Sequence, residues 1–352
     1  MNFKENDIIF LLGAGASADA GVPVSRQMVK DIEKFIKEEE EWKRYRDLYN
    51  YLKGSILYGD GIRGIFDEDV NYNIERLVNV LHELEKKEEH PIFPFIGQWN
   101  TKIIELATYD FKEIKNFRKL IIKQLKEWIT IDNYAKALYF RKLSDFKNEY
   151  TYPLKIFTLN YDLCIEEALD DITIERGFND ERLWDYKKFI DGRERTEEVD
   201  MFLYKMHGSI DWERKEETGE VTYSDEISRI KSPDLIFGTD YKLQYIDPYL
   251  FFAYEFRKYT LNAKLIVVIG YGFGDEHING ILGQALKKDN NKKILCIGPN
   301  IKKENIKKYL KINNDSLLKI DKEKAKNYFE DKLNIKEFGK LFPEEDDYFR
   351  SI

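Results

Sequence analysis

Apolar residues fall into two patterns along this chain, short unbroken runs and stripes at helical spacing. The first run, Ile8-Ile9-Phe10-Leu11-Leu12, leads straight into Gly13-Ala14-Gly15-Ala16-Ser17. Later runs at Leu154–Leu159, Met201–Met206, Leu235–Gly238, Leu265–Ile269 and Ile294–Ile297 also read as strands. They are continuously apolar rather than alternating, as parallel strands covered on both faces should be. Helical stripes separate several of them, at Cys164–Leu169, Pro248–Leu261, Ile278–Leu286 and Glu304–Leu310. Strands that alternate with helices predict an α/β fold, a Rossmann-like doubly wound parallel sheet.

The pattern changes between residues 34 and 149. Phe35, Ile36, Trp42, Tyr45, Leu48, Tyr49 and Leu52 recur at helical spacing. So do Ile74, Leu77, Val78, Leu81 and Leu84, and then Ile114, Phe117, Ile121, Leu125, Trp128 and Ile129. This stretch reads as a large α-helical insertion whose aromatic stripes serve core or subunit contacts. The expected organisation is a discontinuous sheet domain (1–33 and 150–335), the insertion (34–149) and a C-terminal tail (336–352). The four glycines between Gly54 and Gly64 suggest a mobile loop, and Asn73 a helix cap ahead of an apolar stripe. His82 and His90 read as surface residues of the insertion.

Composition narrows the possibilities. The chain has 352 residues, 43% of them hydrophobic and 14% aromatic, ample for sizeable cores. No apolar run approaches the ~20 residues of a membrane span. The polar start, Met1 to Asp7, is not that of a signal peptide. Cys164 and Cys296 are too few for a disulfide framework or a four-cysteine zinc site, and read as buried thiols of a cytoplasmic protein. A net charge of −8 gives no strong nucleic-acid footprint. The lysines between Lys287 and Lys340 read as solvated helix faces.

Candidate chemistry gathers at strand ends. The glycine-rich turn lets backbone approach a phosphate closely, and amides at a helix start can point at it. Three further segments stand at or just past later strand ends: Thr158-Leu159-Asn160-Tyr161-Asp162, Met206-His207-Gly208-Ser209 and Gly270-Tyr271-Gly272-Phe273-Gly274-Asp275-Glu276-His277. Together these residues resemble the sirtuin family. Gly13 to Ser17 with Gly21-Val22-Pro23 is similar to its NAD-binding opening. Thr158 to Asp162 resembles the segment that meets the nicotinamide ribose, His207-Gly208 the family's His-Gly pair, and Gly270 the start of its later glycine turn. The resemblance covers roughly residues 5–33 and 150–300.

Departures from the deacylating members matter too. Val24, Ser25 and Arg26 stand where those enzymes carry Asp-Phe-Arg, Leu159 replaces a glutamine, and a four-cysteine zinc module cannot be built. These features resemble the bacterial sirtuin-like proteins of antiphage defence, which cleave NAD. The resemblance implies an NAD glycohydrolase with NAD as substrate and no metal. Alternatives are an NAD-dependent deacylase and a non-enzymatic sensor of NAD or ADP-ribose. Breaking the ribose–nicotinamide bond needs a held ribose, stabilised positive charge and a placed water. Asn160 can bind a hydroxyl and a water at once. His207 is the candidate general base or hydroxyl acceptor. Gly13, Ala14, Gly15, Ala16 and Ser17 would hold the pyrophosphate and Asp162 the loop or ribose, and Gly270 and Asp275 of the later turn would also bind the cofactor. Asn160 reads equally as a cap for the helix near Leu163, and Asp275 as a helix N-cap. A defence enzyme must stay silent until triggered, so a homo-oligomer with a separately encoded activator, such as an ATPase, is expected.

Overall fold

The computed structural model describes residues 3–64, 66, 72–86, 101–108, 110–194, 198–230, 232–236 and 246–342. The chain divides into two compact units, one of residues 1–22, 131–235 and 243–352, the other of 23–130 and 236–242. The divisions after Val22 and Thr130 differ from the sequence-based 33 and 149.

The second unit is helical over its described residues. Its helices are α1 (Ser25–Glu38), α2 (Glu40–Lys43), α3 (Arg46–Ile62), α4 (Ile74–Glu85), α5 (Thr101–Ala107) and α6 (Lys112–Ile129). The stripes expected from sequence are the buried faces: Leu48, Tyr49, Leu52 and Ile56 on α3, Leu77, Val78 and Leu81 on α4, Ile114, Phe117 and Ile121 on α6. Asn73 caps α4, accepting the Arg76 N–H at 2.9 Å. One expectation fails here. The glycine-rich stretch is not a loop, because α3 runs through Gly54, Gly59 and Gly61. Burial of its apolar stripe outweighs the roughly 1 kcal/mol that each helical glycine costs. A bidentate pair between Arg76 and buried Asp60 (2.5 and 2.7 Å) joins the end of α3 to α4. His82 is half-buried rather than at the surface, and His90 lies outside the described residues.

The first unit holds a seven-stranded sheet of order β10-β9-β8-β1-β2-β4-β3. Its strands are β1 (Ile8–Leu12), β2 (Leu154–Thr158), β3 (Ile174–Glu175), β4 (Met201–Lys205), β8 (Leu265–Ile269), β9 (Lys293–Ile297) and β10 (Leu318–Asp321). Every pairing is parallel. All five residues of β1, β2, β4 and β8 are buried, which is why these runs show no alternation. Flanking helices are α7 (Lys142–Tyr150), α8 (Cys164–Ala168), α9 (Lys187–Glu194), α10 (Tyr249–Asn262), α11 (Glu276–Lys288), α12 (Lys303–Leu310), α13 (Ala325–Asp331) and α14 (Ile335–Gly339). The doubly wound α/β reading therefore holds.

Two corrections concern its edges. The run beginning at Leu235 does not join the parallel sheet. The strand there, β7 (Pro233–Leu235), pairs antiparallel with β5 (Gly208–Arg214), which also pairs with β6 (Val221–Tyr223). Positions 237 and 238 lie outside the described residues. The start of the expected tail is core: Phe338 is fully buried, its ring centroid 5.3 Å from Phe146 and 6.3 Å from Phe10. Among the described residues no helix is long and apolar enough to cross a membrane.

Candidate active site

Strand β1 lies between β2 and β8, so the chain reverses its direction of sheet growth beside it. At such a switch point the carboxyl ends of neighbouring strands open a crevice. The four sequence segments leave from those ends: 13–17 after β1, 158–162 after β2, 206–208 after β4 and 270–275 after β8.

Two glycine turns are fitted against each other. Gly13 N–H donates to the Ile269 carbonyl and Gly15 N–H to that of Gly270, both at 2.9 Å. A Cβ on Gly13 would meet Tyr271 Cα at 2.7 Å, and one on Gly15 would meet Gly270 Cα at 2.8 Å. Gly270 has φ +67°, and a Cβ there would stand 2.2 Å from the Ala16 nitrogen. These glycines are therefore required by the contact of two turns, whatever the turns bind. Ala16 N–H donates to Gly13 O (2.8 Å) and Ser17 N–H to Ala14 O (3.2 Å). Four amides of the opening are thus engaged inside the protein, and they can offer a phosphate at most a shared hydrogen bond.

The Ser17 side chain links the first turn to the second segment. Asn160 Nδ2 donates to Ser17 Oγ at 3.0 Å, and Ser17 Oγ donates to Asp162 Oδ1 at 3.1 Å. The same carboxylate oxygen accepts the Cys164 N–H at the start of α8, also at 3.1 Å. Asp162, not Asn160, thus serves the helix start, and Asn160 is left for another purpose. Its Oδ1 is buried and has no hydrogen-bond partner among the described residues. A buried amide oxygen left unmatched is costly, and a ligand hydroxyl or a water would satisfy it. Burial, seconded by the Asp162 carboxylate, pushes the Cys164 thiol far above its ordinary pKa, so it is no thiolate nucleophile.

His207 follows β4 and is buried. Its Nε2 lies 3.2 Å from Asp275 Oδ2, while Asp275 Oδ1 caps α11 through His277 N–H (2.9 Å) and Ile278 N–H (3.3 Å). One oxygen of Asp275 thus makes the N-cap, and the other faces His207. A carboxylate only accepts, so in a neutral His207 the hydrogen of this bond is on Nε2 and Nδ1 is the basic nitrogen. Tyr271 Oη holds this arrangement, accepting the Asp275 N–H at 3.1 Å. Gly208, at φ +88°, leaves room for nothing larger: a Cβ would fall 2.0 Å from the Asp234 carbonyl oxygen. His277 is half-buried in the first turn of α11. Among the described residues no group of three or more His, Cys, Asp or Glu side chains could hold a metal ion.

Sequence reasoning missed Lys205 entirely. It ends β4, is fully buried, and donates to the Asp162 carbonyl at 2.5 Å and to Glu166 Oε1 at 2.9 Å. Its only signal was a lysine inside an otherwise apolar run.

Residues 154–318 match the family model of the SIR2-like domain. No curated protein sequence matches the chain. Among solved structures it is similar to a triply substituted Sir2 homologue in complex with 2′-O-acetyl ADP ribose. The identity is 12% over 96% of this chain and 94% of that one, with a TM-score of 0.47. A Sir2 homologue–NAD complex is similar at 14% identity over 95% and 90%, with a TM-score of 0.47. The family model alone makes residues 154–318 SIR2-like. The matched segment excludes β1 and its glycine turn, which the fold places between two matched strands.

Proposed function

We propose that the chain is an NAD glycohydrolase that cleaves NAD to nicotinamide and ADP-ribose. The observation that carries this reading is the buried, unmatched Oδ1 of Asn160, held in place through Ser17 in a SIR2-like segment. Pyridinium is a good leaving group, so the protein's task is to hold the ribose and present water to its anomeric carbon. Asn160 Oδ1 accepts a ribose hydroxyl or the attacking water. His207, its tautomer set by Asp275, takes a proton at Nδ1. The later turn from Gly270 and the opening from Gly13 to Ser17 line the pyrophosphate side, where the engaged amides favour contacts from side chains and from Ala14.

The test is incubation of the purified chain with NAD, following nicotinamide and ADP-ribose by chromatography, beside Asn160→Ala and His207→Ala. Release by the wild type that is lost in both variants supports the reading. Release unchanged in both overturns the site. O-acyl-ADP-ribose formed from an acetylated peptide would show a deacylase instead, and tight NAD binding without turnover a sensor. The reading extends to NAD depletion in antiphage defence by a homo-oligomer under a separately encoded activator such as an ATPase. An active, strictly monomeric species in light scattering would contradict that extension.

A further inference from the structure

The segment carrying Asn160 is fastened to the segment carrying His207 at three points. Met206 N–H donates to the Thr158 carbonyl at 2.9 Å, and Ile210 N–H to the Tyr161 carbonyl at 3.0 Å. The third is the Lys205 ammonium on the Asp162 carbonyl. Two of these are backbone bonds that any sequence could make; the third depends on a side chain. Lys205 pairs with Thr158 in the register of β2 and β4, so its stem crosses the end of β2 to reach the turn beyond.

Burying an ammonium is expensive, and one hydrogen bond to a carbonyl does not offset it. The structure surrounds it with a chain of alternating charge. Glu166 on α8 accepts from Lys205 and stands 3.7 Å from Arg176 Nε, and Arg176 donates to Asp211 Oδ2 at 2.5 Å. Burial works against the charges at the far end, yet Arg176 and Lys205 together hold the Asp211 carboxyl below its ordinary range. Asp211 and Glu166 likewise raise Arg176 against its own burial. Two basic and two acidic side chains thus alternate in a chain, Lys205, Glu166, Arg176 and Asp211. It runs from the Asn160 turn to β5, the strand that starts one residue after His207. An apolar side chain could fill the same volume without desolvating a charge, but it could not grip a carbonyl.

We propose that Lys205 is a positioning residue that fixes the separation of Asn160 and His207 by holding the Asp162 carbonyl. This rests on the hydrolase reading, because it assigns those two side chains a shared task. Small displacements of groups around a reacting bond cost large factors in rate, so the expected signature is a loss in kcat.

Three variants of the full chain test it. Lys205→Met keeps the stem and removes the grip, but leaves Glu166 short of a partner. Lys205→Met/Glu166→Gln also removes that surplus charge. Glu166→Gln alone keeps the lysine and an acceptor for it. The double variant should regain most of the thermal stability lost in the single one, yet keep a kcat at least tenfold below wild type with KM for NAD within threefold. Glu166→Gln should stay within threefold of wild-type kcat. Recovery of kcat together with stability in the double variant would overturn the proposal, and so would a Glu166→Gln loss as large as that of Lys205→Met. A second readout does not depend on turnover. The side-chain amide NMR signal of Asn160, assigned by its loss in Asn160→Ala, should move in the double variant and hold in Glu166→Gln. An unmoved signal in the double variant would reject positioning even if the wild type cleaves no NAD, an outcome that by itself would reject only the hydrolase reading.

Discussion

Replacing Asp275 by asparagine separates two functions that one carboxylate performs. Oδ1 caps α11 through two N–H groups, and Oδ2 receives the proton on His207 Nε2 at 3.2 Å. Asparagine caps helices about as well as aspartate, so the change should cost less than about 1 kcal/mol, chiefly lost charge at the helix N-terminus. Its amide nitrogen would then face Nε2, two donors meeting, unless the imidazole proton moves to Nδ1. That move leaves Nδ1 without the lone pair the proposed mechanism uses. General-base contributions run to about 10²–10⁴ in rate, and kcat for nicotinamide release should fall by about that factor. Asp275→Ala, by contrast, loses the cap as well and should cost about 1 kcal/mol more. Initial rates at saturating NAD, with thermal melts of both variants, provide the assay. An Asp275→Asn enzyme retaining half its kcat would refute the tautomer argument. A melt as depressed as that of Asp275→Ala would refute the division of labour between the two oxygens.

Gly270→Ala puts a methyl 2.2 Å from the Ala16 nitrogen in a left-handed residue, and should cost about 3 kcal/mol or prevent folding, as denaturant titration would show. Gly54→Ala, in the middle of α3 with open space around its Cβ, should instead stabilise by about 0.5–1 kcal/mol; a lower melting point would contradict the helix. Asp211→Asn leaves Arg176 short of a buried counter-charge and should destabilise by about 3 kcal/mol at neutral pH. The wild-type carboxyl sits below its ordinary 3.8, so its stabilisation is present above that value and is lost as pH falls through the folded one. Stability curves of the two proteins should therefore converge on acidification; parallel curves down to pH 2 would argue that Asp211 is not ionised in the folded state.

The central strands were legible because burial on both faces leaves no room for polar residues in Ile8–Leu12 or Leu265–Ile269. The edges were not. β5 begins at a glycine and carries Asp211, a charge whose partner Arg176 lies far away in the sequence. The glycines from 54 to 64 misled for a similar reason: composition suggested a loop, while the buried stripe of Leu48, Leu52 and Ile56 set the helix. At the site, Asn160 and His207 stood out through their motifs. Ser17 and Asp275 stood in those motifs too, but their contacts with Asn160 and His207, and Lys205 altogether, did not show, since only the parallel order of β8, β1, β2 and β4 creates those contacts.

That strand order also governs when the molecule comes into existence during synthesis. β1 is made before both of its partners, β2, whose Ile156 sits opposite Phe10, and β8, whose Leu265 sits opposite Ile8. The first strand must wait for nearly half of the chain before one edge is satisfied and for about three quarters before the other, and the entropy of closing such long loops delays it further. Until Gly270 has emerged, the turn at Gly13 has nothing to fit against and Asp275 does not yet exist to orient His207. A growing chain on the ribosome therefore carries no assembled crevice, and a truncated one lacking β8 has an exposed apolar strand where the crevice would be.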